Sequence, residues 1–395
     1  MPTKSVRYLM FGLLYFAQGS IMSYFTSLNA LYLQGFKLNM AEIGTIGTVA
    51  MTPFILKIFL GMLSDKYDLW HMGHRKPYII LGLVIQSLAC LVVPLINPAS
   101  QYGMFLLLAF IMMSAMALYD TCTDGLALDT TPKEEEGTIQ GFMVGGRALG
   151  VVIVSGLIGI IAEKVSWTAV FWLLGVLPLI PLLIVLRIKE EPRKPEHAFE
   201  WKAFSAFKKR NVIMLGLLGA LYSLVIYGAN QNVNPFLFTT YQISLITAGL
   251  MSMVWGIGVV IGGLAGGKLT DRIGQQNAVR LAIVTSLVAI LALSIINSAS
   301  LAWFLVFIFG LAFGYYETIY FAISMSLCEP KIAASMFSLL MAVANIGTAI
   351  GLSLSGSLAE GIGFRLTFVI FAMLNLIAFP MLSSIFPKNQ GLEQN

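Results

Sequence analysis

Gly61-Met62-Leu63-Ser64-Asp65-Lys66 and Gly267-Lys268-Leu269-Thr270-Asp271-Arg272-Ile273-Gly274 decide the architecture of this chain. In both stretches an aspartate stands four residues after a glycine, and a base follows the aspartate. The first copy runs on through six further residues to Gly73, Arg75 and Lys76. The second reaches Gly274 at once and lacks the basic pair. Each copy closes one long apolar run and precedes the next. The same punctuation at the same place in two series of apolar runs points to two homologous halves.

The runs extend over the whole chain. Residues of the AVILMFWYC set make up 58% of it and charged residues only 11%, far below the roughly 25% that a soluble surface uses. Twelve runs approach or exceed bilayer length: 6–33, 41–64, 77–97, 102–128, 138–162, 167–187, 211–239, 244–269, 277–297, 300–327, 332–357 and 363–386. The fold class predicted is an all-α membrane protein, with twelve transmembrane helices in two pseudo-symmetric six-helix bundles. Residues 1–187 form the first bundle and 211–395 the second. Residues 188–210 form a cytoplasmic linker in which Phe199, Trp201, Phe204 and Phe207 alternate with lysines, as in a short amphipathic helix on the membrane face. The first run is too long for a cleaved signal.

The net charge of +5 does not indicate nucleic-acid binding, because the bases follow the membrane topology. With the N-terminus inside, Arg75, Lys76, Arg187, Arg193, Lys208, Lys209, Arg210, Arg272 and Arg280 are inside, whereas the outer loops hold only Lys37, Lys164 and Arg365. That bias predicts a cell inner membrane protein with both termini in the cytoplasm. Cys90, Cys122 and Cys328 have no paired spacing, and His71, His74 and His197 form no metal pattern. No cofactor is expected.

Five ionisable residues interrupt the runs: Lys57, Asp120, Asp124, Arg147 and Glu317. Each costs at least ~2.5 kcal/mol at the bilayer centre unless paired or hydrated. Asp120 and Asp124 share one helical face. One reading pairs an aspartate with Arg147 as a structural bridge. The other has a carboxylate carry a proton or hold a cationic group. Three acids face two bases, which leaves one acid to titrate. Asn230, Gln231, Asn232, Asn234 and Pro235 fall within one run, which predicts a broken or bent helix lining a wet cavity. Gln18, Tyr24 and Asn29 are their counterparts in the first run. With Tyr227, Tyr316 and Tyr320 these residues are the candidates for solute binding, together with Asn230, Gln231 and Asn234. Asp120 falls on Glu317 when the halves are aligned, and parallel repeats place a solute site near mid-membrane between them.

The paired loops resemble those of the major facilitator superfamily. By that resemblance Gly61, Asp65, Lys66, Arg75, Lys76, Asp271 and Arg272 are gating residues. Finer features are similar to the AmpG-type muropeptide permeases and the related acetyl-CoA transporters. These are Tyr15-Phe16-Ala17-Gln18-Gly19, Pro53-Phe54-Ile55-Leu56-Lys57, Asp120-Thr121-Cys122-Thr123-Asp124-Gly125 and Phe337-Ser338-Leu339-Leu340. The resemblance implies a monomeric, proton-coupled secondary transporter in the lipid bilayer. It would import a medium-sized polar or amphipathic small-molecule solute by alternating access. Muropeptide is the first choice, and a siderophore, a CoA ester or a folate-like compound the alternative. The chain has no ATP-binding loop and no nucleophile–base–acid set, so an enzyme is not expected. The rival from another class is a membrane assembly factor that keeps the fold without transporting.

Overall fold

A computed structural model describes residues 4–130, 136–190, 208–327 and 333–386. The predicted amphipathic segment with Phe199, Trp201, Phe204 and Phe207 lies outside the described residues, as does Cys328. The described chain is helical. In the first half the helices are α1 (Lys4–Ser23), α2 (Asn29–Gln34), α3 (Met40–Ile55), α4 (Lys57–Lys66), α5 (Lys76–Val92), α6 (Tyr102–Thr130), α7 (Glu136–Lys164), α8 (Trp167–Val176) and α9 (Leu179–Val185). In the second half they are α10 (Arg210–Tyr241), α11 (Leu245–Ile273), α12 (Gln275–Ser294), α13 (Ala299–Leu327), α14 (Ala333–Ile362), α15 (Phe364–Leu374) and α16 (Ala378–Ile385). Ten stretches among the described residues are long and apolar enough to cross a bilayer, and α3 is a shorter apolar helix. Large apolar side chains such as Phe59, Leu183, Leu264 and Phe304 stand exposed on their helices, as lipid-facing residues must.

The helices gather into two compact units. One comprises residues 1–38, 49–199 and 244–253, and the other 39–48, 200–243 and 254–395. Each unit is built on a tightly packed helix pair. In the first unit α1 meets α7 with no side chain between the backbones. A Cβ added to Gly146 would lie 2.1 Å from the Gly12 carbonyl, and one added to Gly150 2.4 Å from that of Phe16. The second unit repeats this contact between α10 and α14, where a Cβ on Gly347 would lie 1.9 Å from the Ala220 carbonyl. Small residues at such crossings let membrane helices gain van der Waals contact that lipid cannot supply. Gly347→Ala is therefore expected to destabilise the second unit by about 1–3 kcal/mol, the cost of overpacking a fixed backbone contact. A lowered unfolding midpoint in detergent, read beside the open position Gly361→Ala, checks this.

Two helices break where the sequence reading did not place a break. The first run passes through a π-helical segment, Tyr24–Leu28, between α1 and α2. The second run breaks at Leu56, three residues after Pro53. Pro53 itself lies inside α3, and the Leu56 N–H donates to the Thr52 carbonyl at 3.2 Å. Of the broken or bent helix expected at Asn230–Pro235 the break is absent: α10 is one unbroken helix with Pro235 inside it. Its amides are used for packing. Gln231 Nε2 donates to the Leu352 carbonyl at 3.0 Å and Asn232 Nδ2 to that of Ser355 at 3.5 Å. Ser355 Oγ donates back to the Gly228 carbonyl at 2.6 Å. A neighbouring helix thus accepts from two of the side-chain amides ahead of the proline.

Candidate functional site

Five side chains from three helices meet inside the first unit. Asp120 and Asp124 stand one turn apart on α6. Lys57 is the first residue of α4, immediately after the break at Leu56. Its Nζ donates to Asp120 Oδ2 at 3.2 Å. The other Asp120 oxygen accepts from Gln18 Nε2 of α1 at 2.8 Å. Tyr15, one turn before Gln18, donates its hydroxyl to Asp124 Oδ1. Tyr15 and Gln18 on α1 therefore match Asp124 and Asp120 on α6 in antiparallel register.

The two carboxylates are held differently. Asp120 is 6% exposed and has a cation and an amide on its two oxygens, a satisfied ion pair of the kind buried charge requires. Asp124 is half-buried and is held by a neutral hydroxyl. Lys57, Arg147 and Asp120 all lie close enough to act on it electrostatically. Lys57 is thus a base bonded to Asp120. Arg147 sits half-buried on α7, where its carbonyl faces Gly19 of α1 at the close crossing.

The second unit carries a simpler version. Glu317 on α13 is half-buried and accepts from the Tyr227 hydroxyl of α10 at 3.0 Å. The Tyr227 ring packs edge-on against Phe313, which packs edge-on against Trp255. In both units, then, an acid on the fourth span is bonded by a tyrosine from the first. Of the other residues expected to meet a solute, Tyr24 is buried against Tyr32 and Phe171. Tyr316 and Tyr320 are buried against Tyr222. All three are core packing in this structure. Asn29, Asn230 and Asn234 are also buried, and Gln231 is half-buried.

The loop that carries the basic pair is tied down within the first unit. Gly73 has φ 109°, a left-handed conformation that glycine adopts without strain. The backbone N–H groups of His74, Arg75 and Lys76 then converge on one carboxylate. Glu190, just past α9, accepts from them at 2.8–3.0 Å. Converging backbone N–H groups of this kind form a natural anion seat. Lys76 Nζ donates to the carbonyls of Leu186 and Ile188 at 3.0 and 2.8 Å, a cation at the frayed end of a helix. Arg75 Nη1 donates to Ser64 Oγ at 2.5 Å, and its guanidinium lies across Gly125 of α6. Arg75 and Lys76 thus join the end of α4, α6 and the end of α9. Gly61 lies on α4 against Thr121, and Arg272 is exposed at the end of α11. The side chains of Asp65, Lys66 and Asp271 lie outside the described residues.

Sequence reading missed two of these residues. Tyr15 stood in the quoted Tyr15–Gly19 motif, and its spacing to Gln18 matches the register of the paired acids. Glu190 is an acid at the end of an apolar run otherwise bordered by bases, which was the available signal.

A polytopic helical chain built on two matched glycine-packed pairs, with bonded acids inside its spans, is a membrane transporter of small solutes rather than an enzyme. The chain belongs to the Major Facilitator Superfamily, whose family model matches residues 9–343. The BT1 family model also matches residues 297–395. The chain is similar to the anhydromuropeptide permease of Escherichia coli K12, at 25% identity over 89% of this chain and 74% of the relative. It is 24% identical to the folate-biopterin transporter of a Synechocystis strain over 82% of this chain and 69% of that one. A mutant of the nucleoside transporter NupG shares the fold with a TM-score of 0.81 at 16% identity, covering 96% of this chain and 100% of that chain.

Proposed function

We propose that this chain is a proton-coupled importer that moves a medium-sized polar or amphipathic solute by alternating access. The carrying observation is the unequal treatment of two carboxylates one turn apart. Asp120 is committed to Lys57 and Gln18, whereas Asp124 is held by a neutral hydroxyl. An acid of the second kind inside a transmembrane helix can exchange a proton without stranding a cation. Glu317 with Tyr227 is the corresponding pair of the second unit. Gln18, Asn29, Tyr227, Asn230, Gln231 and Asn234 are the polar groups offered to a solute. Asp65, Lys66, Asp271 and Arg272 act in gating.

In this reading the chain works as a monomer in the cell inner membrane with both termini in the cytoplasm. Bundles at 1–187 and 211–395 are joined by the linker at 188–210. Anhydro-muropeptide is the first cargo, supported by similarity to a permease of that name over 89% of the chain. A folate-like cargo is second, supported by similarity over 82%. Proteoliposomes with an imposed inward proton gradient test the reading. Labelled anhydro-muropeptide should accumulate and collapse back when a protonophore is added. Accumulation of labelled folate alone would reassign the cargo, and uptake of muropeptide indifferent to the protonophore would remove the coupling.

A further inference from the structure

Tyr67-Asp68-Leu69-Trp70-His71-Met72, the stretch that parts Lys66 from Gly73, lies outside the charged centre and the Glu190 seat. It is nevertheless held in a fixed shape. The buried Tyr78 of α5 donates its hydroxyl to the Leu63 and Tyr67 carbonyls at 3.3 and 3.0 Å, which ties down the exit from α4. Asp68 Oδ1 accepts from the Gly73 N–H at 3.0 Å and closes the turn. Between these ties Leu69–His71 make one 3-10 turn. Trp70 and His71 both have left-handed backbones, with φ 59° and 53°. Residues with a Cβ adopt that conformation at a cost, and two in succession persist only where the surroundings compensate.

The turn displays apolar side chains. Trp70 is 63% exposed, and Tyr67 and Met72, near it in the chain, are 50% and 36% exposed. What they meet follows from α4. One face of α4 is turned into the first unit: Lys57 bonds Asp120, Gly61 lies against Thr121, and the buried Ser64 accepts from Arg75. Phe59 and Leu63 stand on the opposite face and are exposed, as lipid-facing residues are. Tyr67 follows Leu63 by one turn, about 6 Å along the axis. The headgroup layer beyond the hydrocarbon is about 5–8 Å deep on each side of a bilayer. The turn therefore begins where hydrocarbon gives way to headgroups. Tryptophan and tyrosine favour that layer, because each joins an apolar ring to a polar tip.

We propose that Tyr67, Trp70 and Met72 form a lipid-binding foot of the first unit, seated in the phospholipid headgroup layer of the nearer leaflet. The foot continues the lipid-facing side of α4. Burying three apolar side chains at the edge of the leaflet compensates for the left-handed backbone at Trp70 and His71. The indole N–H and the phenol hydroxyl have ester and phosphate oxygens there to donate to. The same turn leads through Gly73 into the N–H groups that hold Glu190, so the foot sets the depth of that seat against the bilayer. The inference depends on neither the cargo, the coupling ion nor the orientation of the chain.

The test uses the full chain in phosphatidylcholine nanodiscs whose acyl chains carry bromine close to the ester, with iodide as the aqueous quencher. The chain has six tryptophans, and subtracting the emission of Trp70→Phe from that of the parent isolates Trp70. Shallow bromine should lower this difference signal about twofold or more, and iodide should leave it nearly unchanged. Bromine near the chain ends should lower it less. Trp172, 56% exposed on α8, isolated in the same way with Trp172→Phe, calibrates quenching within a span. If Trp70→Phe lowers the unfolding midpoint, a chain that keeps Trp70 alone, with its other five tryptophans replaced by phenylalanine, gives the same reading directly. A Trp70 signal quenched by iodide and indifferent to brominated lipid would overturn the proposal and leave the turn to solvent or to a soluble partner.

Discussion

Lys57→Ala is expected to give the least stable single variant of the charged centre. Removing the ammonium leaves Asp120 buried with only the Gln18 amide on it. Stranding one partner of a buried ion pair costs about 3–5 kcal/mol, and the lower figure suits a pair whose lysine is 20% exposed. The expected reading is a clear fall in the unfolding midpoint of purified protein, with membrane insertion retained. Lys57→Ala combined with Asp120→Asn should recover most of the loss, because a neutral amide at 120 carries no uncompensated charge. Equal instability of the single and double variants would mean that the two residues are not coupled. Arg147→Ala in the same series tells which base the centre depends on.

Asp124→Asn should have the largest effect on transport. Asparagine keeps the shape and can still accept from the Tyr15 hydroxyl, but it can neither take up nor return a proton. Under an imposed proton gradient, uptake should rise only to equilibration and not beyond it. Exchange of labelled for unlabelled solute should continue, since exchange requires no net proton movement. Asp120→Asn is expected to damage folding and rate together, because it strands Lys57. If Asp124→Asn accumulates solute like the parent while Glu317→Gln does not, the proton site belongs to the Glu317–Tyr227 pair of the second unit.

The class of fold was legible because bilayer physics leaves few alternatives. Apolar runs of this length must be helices, since each backbone polar group needs an internal partner. The matching loops around Asp65 and Asp271 then divide the runs into halves. The charged centre was legible for a related reason: Lys57, Asp120, Asp124, Arg147 and Glu317 are too costly in hydrocarbon to be incidental. The particular bonds were not legible. The bridge read from depth alone paired an aspartate with Arg147. The bond that Lys57 makes to Asp120 depends on the rotation of α6 against α4 and on where the helix resumes after Leu56.

Breaks were misjudged for the same reason. The Asn230–Pro235 cluster reads as a broken helix in isolation. The carbonyls of Leu352 and Ser355 on α14 accept from Gln231 and Asn232, and α10 is unbroken there. The Tyr24–Leu28 segment carries no proline or glycine, and its π turn has no local signal. Composition and periodicity thus determined on their own that this is a helical membrane protein with two related halves and buried acids, because those properties depend on the cost of exposing polar groups to lipid. That Lys57 holds Asp120, where the second run breaks, and how Glu190 meets backbone N–H groups far away in the chain were decided only by tertiary structure. Those contacts depend on helix rotation and crossing to within a hydrogen-bond length, and no local pattern encodes them.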